Sequence, residues 1–200
     1  MTFKEKMELV NNIYFKGETN IKNIPYETIV TIEKKLNIRI PESLKIFYLM
    51  FGEKEDFLRC MYRIIPLEEL EIKNNILIIA IENQGTCSYG LNIKSNEVIY
   101  FTTSDYNEKI KLDIEDFLLY LLAIQGTGFF DCVVQMNTSE TEALDKNFSK
   151  LSKVSGQYCV YCYSDEIIGF ISGDDIFLSA KSDDIMNEIE EKYDLEFDYC

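Results

Sequence analysis

The sequence predicts an α+β protein, with helices packed on an antiparallel-rich sheet and a C-terminal helix–β-meander–helix extension. Three observations predict it. Apolar residues recur every three or four positions over the first fifty residues, the period of a helix with one buried side. Between 60 and 102, and again between 157 and 180, short apolar runs are separated by polar turns, the signature of strands. The turns Lys94-Ser95-Asn96-Glu97 and Ser164-Asp165-Glu166 are of hairpin length, so the strands they join run antiparallel.

The elements follow in order. Met1–Phe15 predicts a helix with Phe3, Met7, Val10 and Tyr14 on one side, broken by the polar stretch Gly17–Asn23. Pro25 opens a second helix, where its missing N–H costs nothing, with Ile29, Ile32 and Leu36 as the stripe. Pro41 starts a third, bearing Leu44, Phe47, Tyr48 and Phe51 and stopped by Gly52. The link between them is short, which predicts a helical hairpin. Strands are expected at Cys60–Ile65, Ile76–Ile81, Tyr89–Ile93 and Val98–Thr102; the unbroken apolar run of the second predicts burial on both faces. Asp113 caps a helix with Ile114, Phe117, Leu118, Leu121 and Leu122, ended by the glycines of Gln125–Gly128.

A similar order of elements returns in the rest of the chain. A strand is expected at Phe129–Val134, then a helix with a Ser139/Glu142 capping box carrying Leu144, Phe148 and Leu151. Gln157–Tyr163, Ile167–Ile171 and Ile176–Ala180 predict a meander, Ser182 a last capped helix, and alternating Leu195, Phe197 and Tyr199 a closing strand. Gly90–Ser104 and Gly169–Ser182 echo each other faintly, as a duplication or two chance-alike hairpins would. The expected organisation is a domain over 1–128 and an acidic α+β extension over 129–200, separate or packed on the same core.

Charge is the most informative bulk property. Thirty-five acidic against twenty basic residues give −15, and 131–200 alone holds 16 acids and 5 bases, a net −11. Such a field repels nucleic acid and anionic lipid and favours a basic protein partner, although simple solubility explains acidity equally well. The N-terminus MTFKEKMELV has no apolar export signal, and the longest apolar run, Phe117–Ile124, is far short of a membrane span. A cytoplasmic location is therefore expected, with the six cysteines reduced.

Enzyme chemistry finds few materials. There is no histidine, which removes Ser-His-Asp and Cys-His catalysis and the commonest metal ligand. Cys159-Val160-Tyr161-Cys162 is half of a four-ligand zinc site and lies in an expected strand, where positions three apart face opposite sides. Neither G-x-G-x-x-G nor G-x-x-x-x-G-K-[ST] occurs. Asp174-Asp175 and Asp183-Asp184 are adequately explained as a solvated turn and a helix start. No catalytic residue, metal or cofactor is expected.

The stretch IVTIEKKLNIRIPESLKIFYLMFG, Ile29 to Gly52, resembles the opening helical pair of the SMI1/KNR4 (SUKH) superfamily. Glu33, Leu36, Ile40, Pro41, Glu42, Phe47 and Gly52 fall in step with its pattern, a helix ending in Glu-x-x-Leu-Gly, then apolar-Pro-acidic, then a helix running into Asn-Gly. Residues 79–101, IAIENQGTCSYGLNIKSNEVIYF, are similar to its hairpin, and Leu112–Leu122 to its closing helix. The likeness covers Pro25 to Gly126. Asn37 stands in the usual glycine place, Phe51 in the usual asparagine place, and tryptophan is absent.

The resemblance implies an α+β fold, no catalytic residues, and for bacterial members an immunity protein that neutralises a cognate toxin, frequently a nuclease or deaminase. Fungal relatives imply the alternative, an intracellular regulatory scaffold. On the first reading the partner is a basic toxin domain, with neither nucleic acid nor membrane bound directly. The candidate contacts are Asp165, Glu166, Asp174 and Asp175 on the meander turns, with Asp183, Asp184, Glu188 and Glu191 beside them.

Overall fold

Prolines and left-handed residues set the boundaries of the first helices. The computed structural model describes residues 1–16, 23–102, 107–110, 112–154 and 156–200, with the backbone alone at 107–109. Of the polar break expected at Gly17–Asn23, only Asn23 lies among them. The helices are α1 (Phe3–Phe15), α2 (Tyr26–Leu36) and α3 (Glu42–Phe51). Pro25 and Pro41 sit one residue before their helices with extended ψ, and each carbonyl accepts an early helical hydrogen bond, from Thr28 and Lys45. Asn37 closes α2 at φ 52°, where its N–H and that of Ile38 reach back to Lys34 and Glu33. That left-handed cap is normally glycine's task, and asparagine is the side chain that tolerates it best.

The chain divides into two compact units, one of Met1–Met7 with Gly17–Leu118, the other of Glu8–Lys16 with Leu119–Cys200. In the first unit the strands are β1 (Tyr62–Ile64), β2 (Ile72–Lys73), β3 (Ile76–Glu82), β4 (Cys87–Asn92), β5 (Val98–Thr102) and β6 (Asn107–Lys109). They form one antiparallel sheet in the order β1-β3-β4-β5-β6, with β2 also on β3. Leu77 to Ala80 of β3 are buried on both faces, as their unbroken apolar run requires. Leu44, Phe47, Tyr48 and Phe51 of α3 are fully buried, and the Tyr48 hydroxyl donates to the Ile65 carbonyl at 2.8 Å. Leu36, expected in the core stripe of α2, is only half-buried. The first strand is shorter than Cys60–Ile65, because a 3-10 turn at Phe57–Arg59 precedes it.

The second unit is built on α4 (Ile114–Phe129), whose first five residues belong to the first unit, and on α5 (Thr141–Asn147) and α6 (Asp183–Tyr193). Its strands are β7 (Cys132–Asn137), β8 (Ser149–Lys150), β9 (Val160–Tyr163), β10 (Ile167–Ser172), β11 (Asp175–Ala180) and β12 (Asp198–Tyr199), in the order β12-β7-β11-β10-β9-β8. Every pairing is antiparallel. One face carries Cys132, Val134, Met136, Tyr161, Ile167, Ile171, Ile176 and Leu178, covered by Leu144 and Phe148 of the α5 region and by Met186 and Ile189 of α6. On the other face Tyr120 of α4 meets Phe170 edge-on at 5.4 Å, and Phe170 stacks on Phe177. The fold is α+β.

Several boundaries differ from expectation for local reasons. Asp113 caps α4 by accepting the Asp116 N–H at 2.9 Å, but the helix runs through Gly126 and Gly128 to Phe129. The next strand is thereby displaced to Cys132. Ser139 is not a cap; Asn137 accepts the Ser139 N–H and starts a 3-10 turn instead. Ser182 holds the N-cap position of α6 without a side-chain bond. The strand expected from Gln157 begins only at Val160, because Tyr158 adopts φ 72°. The closing strand narrows to Asp198–Tyr199. The echoed glycines both lie in strands, but β1 flanks the first strand of its meander whereas β7 flanks the last of its own. No helix among the described residues is long and apolar enough to cross a membrane.

Candidate functional site

Successive turns of a meander fall at opposite ends of the sheet, and this divides the eight candidate carboxylates. Asp165 and Glu166 lie in the β9–β10 turn, Asp174 and Asp175 in the β10–β11 turn. The six residues of β10 separate the two turns by roughly 20 Å. Asp183 and Asp184 follow the exit of β11, whose Ala180 pairs with both Ile167 and Cys132, and so join the Asp165 end. From there α6 crosses the sheet. Asp183 lies close enough to the Cys132 thiol to raise its pKa, Asn187 accepts from the Tyr199 hydroxyl at 2.7 Å, and Lys192 donates to the Tyr163 hydroxyl at 2.9 Å. Glu188 lies near enough to Tyr163 to oppose its ionisation.

One end of the second unit therefore gathers Asp165, Glu166, Asp183, Asp184, Glu188 and Glu191, while Asp174 and Asp175 stand apart. Asp165 is already engaged. The Lys16 ammonium, 2.6 Å away, holds its carboxyl below the usual range, with Lys181 adding to the effect. Glu166, Asp183, Asp184, Glu188 and Glu191 are exposed and form no ion pair among the described residues. Met186 and Ile189 turn the opposite side of α6 into the core, which leaves positions 184, 188 and 191 to solvent.

Tyrosines are expected from the sequence to flank the acidic face, without being singled out by number, and the pair found there is Tyr163 and Tyr193. The half-buried Tyr163 and Tyr193 form a cluster with the exposed Lys192, in which the Tyr163 hydroxyl accepts from Lys192 and, at 3.2 Å, from Tyr193. The Lys192 bond lowers the Tyr163 pKa, assisted by Tyr193, and the lysine rises correspondingly. Lys192 Nζ lies 5.6 Å and 5.2 Å from the two ring centroids, a cation–π arrangement. The signal was available, since Tyr163 adjoins the acidic turn and Lys192-Tyr193 end the acidic helix.

Four of the six cysteines, Cys87, Cys132, Cys159 and Cys162, are buried. Cys159 lies in the core cluster with Tyr161, and Cys162 points to the opposite face. Burial pushes Cys162 up to about 11, and burial, with the nearby Asp183 carboxylate adding to it, pushes Cys132 up to about 12. Neutral thiols are poor nucleophiles and poor ligands. Among the described residues no three Cys, Asp or Glu side chains are grouped to hold a metal ion. What this end of the molecule offers chemically is a negative, tyrosine-edged surface. No protein-family model, curated protein or solved structure matches the chain.

Proposed function

We propose that the chain is a non-enzymatic binding protein, an immunity protein of the SMI1/KNR4 (SUKH) type that neutralises a toxin by covering its basic active surface. The observation that carries this reading is the set of five exposed carboxylates that form no ion pair among the described residues, Glu166, Asp183, Asp184, Glu188 and Glu191, on one end of the second unit. Unscreened acids of one sign steer a basic partner and reject nucleic acid. A nuclease is the natural complement, because its own substrate groove must be basic. Tyr163 and Tyr193 add rigid aromatic area of the kind that anchors interfaces.

Two details of the helical hairpin support the resemblance. Asn37, standing in the place of the pattern's usual glycine, adopts the left-handed conformation that glycine favours. At Gly52 a Cβ would collide with the Ile24 side chain and lie 2.6 Å from the Tyr48 carbonyl, so the closing glycine is sterically required.

Coexpression with the protein encoded beside this one tests the reading. The expected result is a toxic neighbour whose toxicity this chain suppresses through a stable complex. A neighbour that is harmless and forms no complex contradicts it and favours the regulatory-scaffold alternative.

A further inference from the structure

The direction of its hydrogen bonds sets Tyr163 apart. Tyr14 and Tyr48 donate their hydroxyl protons to the Leu122 and Ile65 carbonyls, Tyr161 donates to the Asp145 carboxylate, and Tyr199 to the Asn187 amide oxygen. An acceptor of this kind holds a phenol in its neutral form. Tyr163 receives instead. The Lys192 ammonium at 2.9 Å and the Tyr193 hydroxyl at 3.2 Å both donate to its phenol oxygen, and none of the described residues accepts its proton.

The fold holds this arrangement in place. Phe148 packs on the Tyr163 ring at 5.2 Å and Tyr193 meets it edge-on at 6.0 Å, while the hydroxyl stays at the surface. Bonds donated to the oxygen strengthen when it carries a charge, so they favour the phenolate. The Lys192 bond and the Tyr193 bond outweigh burial and the Glu188 carboxylate, which oppose ionisation, and the Tyr163 pKa falls. Lys192 moves the other way and keeps its proton.

We propose that Tyr163 is a nucleophilic phenol, a surface site that accepts an acyl group from an activated acyl donor. A phenol is a weak nucleophile until a neighbouring cation favours its ionised form. In the transfer the bond between the phenol oxygen and the acyl carbon forms and the bond to the leaving group breaks. The leaving group departs with its electron pair, and the phenolic proton passes to it or to water. Lys192 stays an ammonium throughout, beside the reacting carbon, where negative charge develops on the acyl oxygen. Tyr26 and Tyr199 are 50% and 49% exposed, but neither receives an ammonium bond among the described residues. The uptake is stoichiometric, without turnover, and it is independent of the toxin reading.

The folded full chain is treated with N-acetylimidazole at neutral pH. Tandem mass spectrometry follows each acetylated position in time, with N-acetyltyrosinamide as the reference phenol. Tyr163 should be acetylated several-fold faster than the reference and than Tyr26 and Tyr199, and hydroxylamine should remove the group, as it does from a phenyl ester. Lys192→Met keeps an apolar stem over the rings but loses the charge, and should slow the reaction several-fold. Tyr193→Phe should slow it less, and Lys192→Arg should retain most of the rate. Equal or faster acetylation of Tyr26 or Tyr199 overturns the proposal. So does a hydroxylamine-resistant acetyl group on Lys192 in place of Tyr163, or a Tyr163 rate unchanged in Lys192→Met.

Discussion

Glu33 shows how one side chain joins two elements. Its Oε1 accepts the Ile40 N–H at 2.9 Å and meets Lys45 Nζ at 3.1 Å, so the end of α2, the link and the start of α3 are held at one atom. Burial alone would raise its pKa, but the Ile40 and Lys45 bonds outweigh it and the net effect is a lowered value. A carboxylate depressed in the folded state stabilises above its unfolded pKa, and that stability is lost as pH falls through the folded value. Glu33→Gln should therefore cost about 1–2 kcal/mol at neutral pH. The cost should shrink in acid, where the wild type loses the same bond; urea unfolding at the two pH values measures it. Tyr48→Phe leaves the buried Ile65 carbonyl without its donor and should cost about 1–3 kcal/mol with no pH dependence across the neutral range. An equally stable Tyr48→Phe would show that water replaces the hydroxyl.

At the scale of elements, glycines separate what the sequence made legible from what it did not. The α2–α3 hairpin was legible because Leu44, Phe47, Tyr48 and Phe51 repeat at helical spacing between Pro41 and Gly52. Gly126 misled, because a glycine near the end of a helix reads as its stop. Its place is instead a close approach, where a Cβ would lie 2.8 Å from the Tyr14 hydroxyl and 3.3 Å from Ser179. The short strands β2, β6 and β8 were invisible, since two or three residues carry no period. Gly169 tests the packing reading. A Cβ there would lie 2.7 Å from the Phe177 carbonyl and strike Leu178 in mid-sheet, so Gly169→Ala should cost roughly 2–3 kcal/mol. Gly173, at φ 64° with open space around it, should cost only about 1 kcal/mol for its backbone strain. Thermal unfolding of the two variants checks the order, and a reversed order contradicts the register assigned to β10 and β11.

For the whole molecule the decisive quantity is where the charge sits. Composition located the excess in the last seventy residues, and the meander's alternation implied that its turns could not share an end. Adjacency in sequence alone groups Asp165, Glu166, Asp174 and Asp175, which that alternation separates. The folded chain sets Glu166 and the exposed face of α6 at one end and Asp174 with Asp175 at the other, roughly 20 Å away. The two groups should therefore behave differently. Charges farther apart than the ~8 Å Debye length at physiological ionic strength act nearly independently. The most direct measurement is stopped-flow association with the proposed toxin partner across a salt series. It compares wild type, a variant with Glu166, Asp183, Asp184, Glu188 and Glu191 changed to their amides, and Asp174→Asn/Asp175→Asn. The first variant should associate at least tenfold more slowly and lose most of its salt dependence, while the second stays within about twofold of wild type. Equal effects in the two variants, or a rate indifferent to salt and to both, would contradict the assignment of binding to the α6 end.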